Sequence, residues 1–109
     1  MNPFEGIETA ITRCIYEGTP LYAPQFKGVP LGPIDDPTKE CVSLADVVRS
    51  YTYEGAYQNF MEDVTGSIEV GKSAELVVLG CDLENVPADE IHFITPEMTF
   101  FKGELVYRK

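Results

Sequence analysis

One stretch of the chain, from residue 66 to residue 79, limits its possible folds more than any other. It reads GSIEVGKSAELVVL. Gly66 and Gly71 bracket a short extended piece and supply backbone freedom where the chain must reverse tightly. Lys72 is predicted to keep the exposed corner of the second turn charged. The continuous apolar run at 76–79 is typical of a strand buried on both faces, so the stretch predicts two turns followed by a buried strand.

Length and charge set further limits. The 109 residues are 44% hydrophobic and include six tyrosines and six phenylalanines, which is enough for one modest core. The net charge of −10, from 8 basic and 18 acidic residues, disfavours binding to nucleic acid or to an anionic membrane. No apolar stretch approaches the roughly 20 residues that span a bilayer, and no charged-then-apolar leader is present. We therefore expect a cytoplasmic protein.

The cysteines and the single histidine suggest no site. Cys14, Cys41 and Cys81 are widely spaced and form no Cys-x-x-Cys pair, which disfavours a structural zinc or a disulfide framework. Buried or half-buried free thiols in a reducing compartment are the favoured interpretation. A nucleophilic cysteine would need a base, and His92 is the only imidazole. His92 is predicted to lie in a strand, partly buried or facing solvent, without a catalytic or metal-binding role.

The N-terminal part predicts one helix and one loop. Asn2 can cap the helix, Pro3 fits its first position, and Glu5 stands where a capping box has a carboxylate. An apolar face recurs at helical spacing: Ile7, Ala10, Ile11, Cys14 and Ile15. Gly18 is predicted to end the helix. A long proline-rich loop follows, and a loop of that length is usually functional or displaced from a missing neighbour.

A second helix is predicted to begin at Ser43, with Asp46 three residues later. Gly55 is predicted to interrupt it, and residues 56–60 to add a short helical turn. Its aromatic side chains are expected to pack inward rather than to form a ligand platform: Tyr51, Tyr53, Tyr57 and Phe60. Glu62 and Asp63 are interpreted as a solvated pair at a helix end rather than as paired catalytic carboxylates.

The C-terminal part predicts strands. Residues 87–90 suggest a single helical turn, and residues 91–95 and 98–101 are predicted strands broken by Pro96. Lys102 and Gly103 fit a two-residue hairpin turn before a returning strand at 104–107. The fold class is therefore α+β, with two or three helices followed by about four strands in a small, mostly antiparallel sheet. Such a sheet leaves open edges.

The same segments resemble one enzyme family. The stretch at 66–79 resembles the C-terminal signature of the amidohydrolase superfamily. NPFEGIETAITR at 2–13 resembles the last barrel helix of its predicted metal-dependent hydrolases with a TIM-barrel fold. SLADVVRSYTYEGAY at 43–57 resembles the helix pair after that barrel, and MTFFKGELVY at 98–107 resembles the closing strands. The resemblance implies three segments: a barrel-type helix at 1–18, a proline-rich loop at 19–42, and half of a composite β-sandwich domain at 43–109.

This resemblance also implies a function for the parent enzyme. Such enzymes hydrolyse carbon–nitrogen bonds other than peptide bonds, with zinc or another divalent metal held by histidines, a lysine or carboxylate, and an aspartate. None of these ligands can be assigned to a residue of this chain, so we predict no catalytic, cofactor-binding or metal residues and an inactive chain in isolation. The expected partners are the missing N-terminal part of the parent or a second copy of the chain. The alternative is a free-standing accessory or regulatory module that works through protein contacts.

Overall fold

The computed structural model describes residues 2–30 and 40–109. Within them the protein has three α-helices followed by a three-stranded antiparallel sheet, which confirms the α+β class. The chain forms two compact units: residues 1–47 with 83–94, and residues 48–82 with 95–109. The division predicted at residues 18 and 42 stays a prediction, and residues 31–39 of the proline-rich loop lie outside the described residues.

Helix α1 spans Pro3–Thr12 and begins as predicted. The side chain of Asn2 accepts the N–H of Phe4 at 3.1 Å and satisfies one of the free donors at the helix start. The predicted end at Gly18 is wrong. Arg13 adopts a left-handed conformation with φ 59°, and its N–H donates to the carbonyl of Thr9 at 2.8 Å. Cys14 consequently leaves the helix and forms an isolated antiparallel bridge with Pro30.

A 3₁₀ helix at Ala88–Phe93 packs against α1 in the first unit. The helical turn predicted at 87–90 is confirmed, but the strand predicted at 91–95 is wrong. Ile91 is buried almost completely, and its carbonyl accepts the N–H of Ile94 at 3.0 Å, a bond that closes a helical turn. Ile91 and Ile94 form the core of this unit with Phe4 and Ile7 of α1. Two shorter 3₁₀ helices span Pro24–Phe26 and Leu83–Asn85.

A longer helical run contains helix α2 at Leu44–Arg49, a π-helix at Ser50–Glu54 and helix α3 at Gly55–Gln58. Ser43 caps it as predicted, because its Oγ accepts the N–H of Asp46 at 3.1 Å. The predicted interruption at Gly55 is wrong, since Gly55 has helical φ −62° and ψ −41°. The irregularity is the π-helix before it, across which Arg49 Nε donates to Glu54 Oε1 at 2.7 Å.

Helix α3 ends in a two-bond cap. Phe60 has a left-handed φ of 57°, its N–H donates to the carbonyl of Tyr57, and the N–H of Met61 donates to the carbonyl of Ala56, both at 3.0 Å. This pair of bonds is the Schellman motif, where glycine is the usual residue. The inward packing predicted for the aromatic residues is wrong, because Tyr51 and Tyr57 are exposed and Phe60 is 92% exposed. The buried residue of α3 is Ala56.

The signature turn packs tightly on α3. Gly66 and Gly71 both have positive φ, 91° and 97°, which confirms them as turn glycines. A Cβ atom at Gly66 would lie 2.6 Å from the Cβ of Ala56, so only glycine fits there. The exposed charged corner predicted at Lys72 is wrong. Its side chain is only 13% exposed, because its ammonium donates to Ser67 Oγ at 2.6 Å and to Glu69 Oε1 at 3.1 Å.

The sheet consists of β1 at Leu76–Leu79, β2 at Pro96–Phe101 and β3 at Glu104–Arg108, in that order. The hairpin turn at Lys102 and Gly103 is confirmed, with φ of 52° and 83° as in a type I′ turn. The described residues contain three strands instead of about four. Val77 of β1 is 55% exposed, so the burial predicted for both faces is wrong. The neighbouring Val78, whose side chain points to the opposite face of β1, is also exposed.

Candidate functional site

The first unit buries a carboxylate next to an imidazole. Glu8 comes from α1 and His92 from the 3₁₀ helix at Ala88–Phe93. Glu8 Oε2 lies 2.7 Å from His92 Nδ1 and accepts the backbone N–H of the same residue at 2.8 Å. The two side chains are only 4% and 7% exposed. One carboxylate oxygen therefore holds both the backbone and the ring of His92, and the strand predicted for His92 is corrected to a helical turn.

The second ring nitrogen of His92 has no partner. The Glu8 carboxylate favours the tautomer that carries its proton on Nδ1, which leaves a lone pair on Nε2. Nε2 is buried and has no hydrogen-bond partner among residues 2–30 and 40–109. A buried polar atom without a hydrogen bond costs about 1–3 kcal/mol, so Nε2 is a place where a donor would be strongly favoured. The ring also contacts Tyr16 and Phe93, with ring centroids 5.0 Å and 3.9 Å away.

Both residues of the pair line a cavity of about 410 Å³. Donors on its wall already have acceptors: Thr12 Oγ1 donates to the carbonyl of Glu8 at 2.9 Å, and Cys14 Sγ donates to the carbonyl of Thr12 at 3.3 Å. Tyr16 hydrogen-bonds to Glu5, which raises the pKa of the tyrosine. The hydroxyl and thiol hydrogens of Thr12, Cys14 and Tyr16 are therefore already engaged in hydrogen bonds.

Charged side chains surround the same cavity. Three exposed carboxylates and one ammonium line it: Glu17, Asp89, Glu90 and Lys27. Glu8 belongs to its pair with His92, so the remaining charge around the cavity is negative. A cation would be attracted to such a surface.

The three cysteines are free thiols, as predicted. Cys14 and Cys41 are half-buried, as expected, whereas Cys81 is exposed, so the burial predicted for that thiol is wrong. Cys14 and His92 both line the cavity, but the thiol of Cys14 is directed to the carbonyl of Thr12.

A metal ion, which the family resemblance implies, does not fit the residues that the structure describes. Within residues 2–30 and 40–109, no group of three or more histidine, cysteine, aspartate or glutamate side chains is arranged to hold one. Protein zinc sites use three or four such ligands. No step of a metal-dependent reaction can therefore be assigned to these residues.

The other residues considered from sequence lie in the second unit. Asp63 is exposed, whereas Glu62 is half-buried with Oε2 lacking a hydrogen-bond partner. The interpretation as a solvated pair holds for Asp63 only. Tyr53 is half-buried and lies under two cations, Arg49 at 5.0 Å and Lys72 at 5.9 Å. Those contacts stabilise the packing around the signature turn.

Comparison with known proteins decides the family. The family model described as the amidohydrolase family matches residues 1–107, which is nearly the whole chain. The chain belongs to the amidohydrolase family. No curated protein and no solved structure matches it. In the described part of this amidohydrolase-family chain, no helix has the length and apolar character needed to cross a membrane. The cytoplasmic location expected from sequence stays a prediction.

Sequence reasoning missed Glu8, although a signal was available. Phe4, Ile7 and Ile11 recur at spacings of three and four residues, and Glu8 falls inside that stripe. A carboxylate on the buried face of an amphipathic helix requires a partner. The partner, His92, lies 84 residues away in the amidohydrolase-family chain, and no local pattern connects the two.

Proposed function

We propose that this chain is the C-terminal part of a metal-dependent amidohydrolase that acts on carbon–nitrogen bonds other than peptide bonds. The family match over residues 1–107 carries the proposal. The turn at Gly66 adds support, because the close approach to Ala56 gives a physical reason for a glycine at the start of the signature stretch. On this proposal α1 is the last barrel helix, and the sheet is half of a composite β-sandwich.

The role proposed for the chain within that enzyme is structural. Zinc or another divalent metal, together with its ligands, belongs to the N-terminal part of the parent, which is the proposed partner. Two observations support this division. The described residues contain no group of side chains suited to a metal, and both β1 and β3 are edge strands that can pair with further strands.

The DNA sequence upstream of the Met1 codon provides the direct test. An in-frame barrel with a His-x-His pair is the expected result, since the metal ligands must come from that part of the enzyme. A genuine translation start at Met1 would overturn the proposal and favour the free-standing accessory module, which works through protein contacts instead.

Metal analysis provides a second, independent test. Residues 1–109, purified and dialysed, are expected to hold no stoichiometric zinc and to hydrolyse no amide substrate, because the described residues bring no three possible zinc ligands together. One tightly held zinc per chain would contradict the structural role.

A further inference from the structure

We propose that the cavity beside His92 binds a small organic cation that carries N–H groups, a primary ammonium or a guanidinium. The proposal concerns the first unit alone and is independent of the enzyme to which the chain belongs. It follows from three properties of the cavity wall: an acceptor without a donor, an excess of negative charge, and aromatic rings.

The acceptor is His92 Nε2. This nitrogen is buried and has no partner in the part of the chain that the structure describes, while Nδ1 lies 2.7 Å from Glu8 Oε2. Thr12 and Cys14 already donate to backbone carbonyls, so they cannot supply the missing hydrogen without breaking those bonds. On the proposal, Nε2 accepts its hydrogen bond from an N–H group of the ligand.

The charge of the ligand follows from the exposed carboxylates on the cavity wall, which we call the rim carboxylates. Glu17, Asp89 and Glu90 are exposed carboxylates on the cavity wall, against the single ammonium of Lys27. These carboxylates would repel an anionic ligand, and they would provide no electrostatic attraction for a neutral one. A cation that donates an N–H to Nε2 can also lie close to at least one carboxylate.

The aromatic rings provide the third property. Tyr16 and Phe93 flank the imidazole, and the faces of such rings attract ammonium and guanidinium groups. Nε2 is closed to solvent, so the proposal requires a side-chain movement that opens a path to it, and we assign that movement to Phe93. That ring is 3.9 Å from the imidazole and is largely exposed, so its rotation costs little packing. The cavity volume of about 410 Å³ suits a ligand of a few heavy atoms beyond the cationic group.

A titration of the full chain with matched ligands tests the proposal. Butylguanidinium is added while the imidazole ¹⁵N shifts of the single histidine are recorded. We expect a saturable shift at Nε2, which a contact elsewhere on the surface would not produce. Butyltrimethylammonium has the same charge without an N–H and should bind about tenfold more weakly, the usual value of one buried hydrogen bond. Butanol, which is neutral, should give no saturable shift.

Variants separate the rim charges from general electrostatic attraction. The double variant Glu17→Gln/Glu90→Gln should weaken butylguanidinium binding about tenfold, because it removes two of the three rim carboxylates. Glu104→Gln in the second unit is also exposed, removes a charge outside the cavity, and should leave binding unchanged. His92→Phe should abolish binding. If that variant does not fold, the comparison of ligands with and without N–H groups still decides.

Three results would overturn the proposal. The first is no saturable Nε2 shift with butylguanidinium. The second is equal affinity for butyltrimethylammonium, which would mean that Nε2 accepts no hydrogen bond. The third is an equal loss of affinity per removed charge in Glu104→Gln and in the rim variant, which would mean that only the net charge of the chain attracts the ligand.

Discussion

At the scale of single residues, Glu8 is the side chain whose position has the largest energetic consequence. A buried carboxylate is strongly disfavoured unless it accepts hydrogen bonds, and Glu8 accepts two from His92 through one oxygen. Replacing a buried pair by apolar groups can be neutral, but removing only one partner leaves the other unsatisfied. The free energy of unfolding should therefore respond very differently to single and double substitutions.

Glu8→Ala is expected to lower the free energy of unfolding by about 3–5 kcal/mol, because the N–H groups of His92 lose their acceptor in a buried site. Urea unfolding measures the change. The double variant Glu8→Ala/His92→Ala should cost less than the sum of the two single variants, since the pair acts as a unit. Glu17→Ala, an exposed acid of the same unit, is the control and should change stability by no more than about 0.5 kcal/mol. A Glu8→Ala effect as small as the control would contradict the role of the pair.

The second prediction at this scale concerns Phe60, whose replacement should raise rather than lower the free energy of unfolding. Its φ of 57° is unfavourable for a side chain with a Cβ, and the side chain is almost fully exposed. Phe60→Gly should raise the free energy of unfolding by about 1 kcal/mol, because glycine adopts this conformation without strain. Phe60→Ala keeps the Cβ and should bring no comparable gain. Equal effects of the two variants in thermal unfolding would argue against relief of backbone strain.

At the scale of elements, sequence predicts where helices begin better than where they end. Asn2 and Ser43 cap their helices through contacts two or three residues away, so both starts are readable locally. The ends of α1 and α3 depend on Arg13 and Phe60 in left-handed conformations that are unusual for these residue types. The second half of the 3₁₀ helix at Ala88–Phe93 is predicted as strand because its apolar run is short, and burial against α1 decides its conformation.

The candidate site was the least predictable part. Gly66, Gly71 and the hairpin at Lys102 and Gly103 follow from backbone requirements that sequence displays directly. The pairing of Glu8 with His92 is a tertiary contact. The apolar stripe around Glu8 indicates that it needs a partner, but nothing local in the sequence identifies His92 as that partner. Local propensity does not predict such contacts, because they depend on how the elements pack.

The signature turn allows a prediction about pH. The Ser67 hydroxyl donates to Glu69 Oε1 at 2.6 Å, and this hydrogen bond is the largest cause that holds the pKa of Glu69 below its usual value of 4.5. The Lys72 ammonium is the second cause. A lowered pKa means that the folded turn binds the proton less tightly than the unfolded chain. The stabilisation is therefore present above pH 4.5 and is lost as the pH falls through the folded pKa.

Ser67→Ala should move the pKa of Glu69 back toward 4.5, as measured by NMR titration of its side-chain carboxyl carbon. Ser73→Ala is the matched control, because the hydroxyl of Ser73 donates to Glu75 instead. An unchanged titration of Glu69 in Ser67→Ala would show that the hydroxyl does not hold the carboxylate.

At the scale of the whole molecule, the open strand edges are the feature most relevant to association. Ile7 of α1 is buried within its own unit, so the apolar face of α1 is partly covered. Strands β1 and β3 remain edges of the described sheet, and Val77 on β1 is exposed. The net charge of −10 opposes indiscriminate aggregation and leaves specific edge pairing as the favoured route.

We expect the isolated chain to self-associate through its sheet edge, and Val77→Lys to shift light scattering toward the monomer. Lysine on an exposed edge strand opposes pairing with a second strand. Val70→Lys adds the same charge in an exposed turn outside the sheet and is the control. A strictly monomeric wild-type chain, or equal effects of both substitutions, would contradict association through the edge.

The first unit is built from residues 1–47 and 83–94, and this discontinuity has a consequence in time. During synthesis, α1 leaves the ribosome with Glu8 on its apolar face and without the imidazole that satisfies it. The Glu8 carboxylate has no imidazole partner until His92 is translated, 84 residues later. At about 5–20 residues per second, that delay lasts several seconds, far longer than a helix needs to form. The nascent N-terminal segment is therefore a candidate for chaperone contact until the second segment arrives.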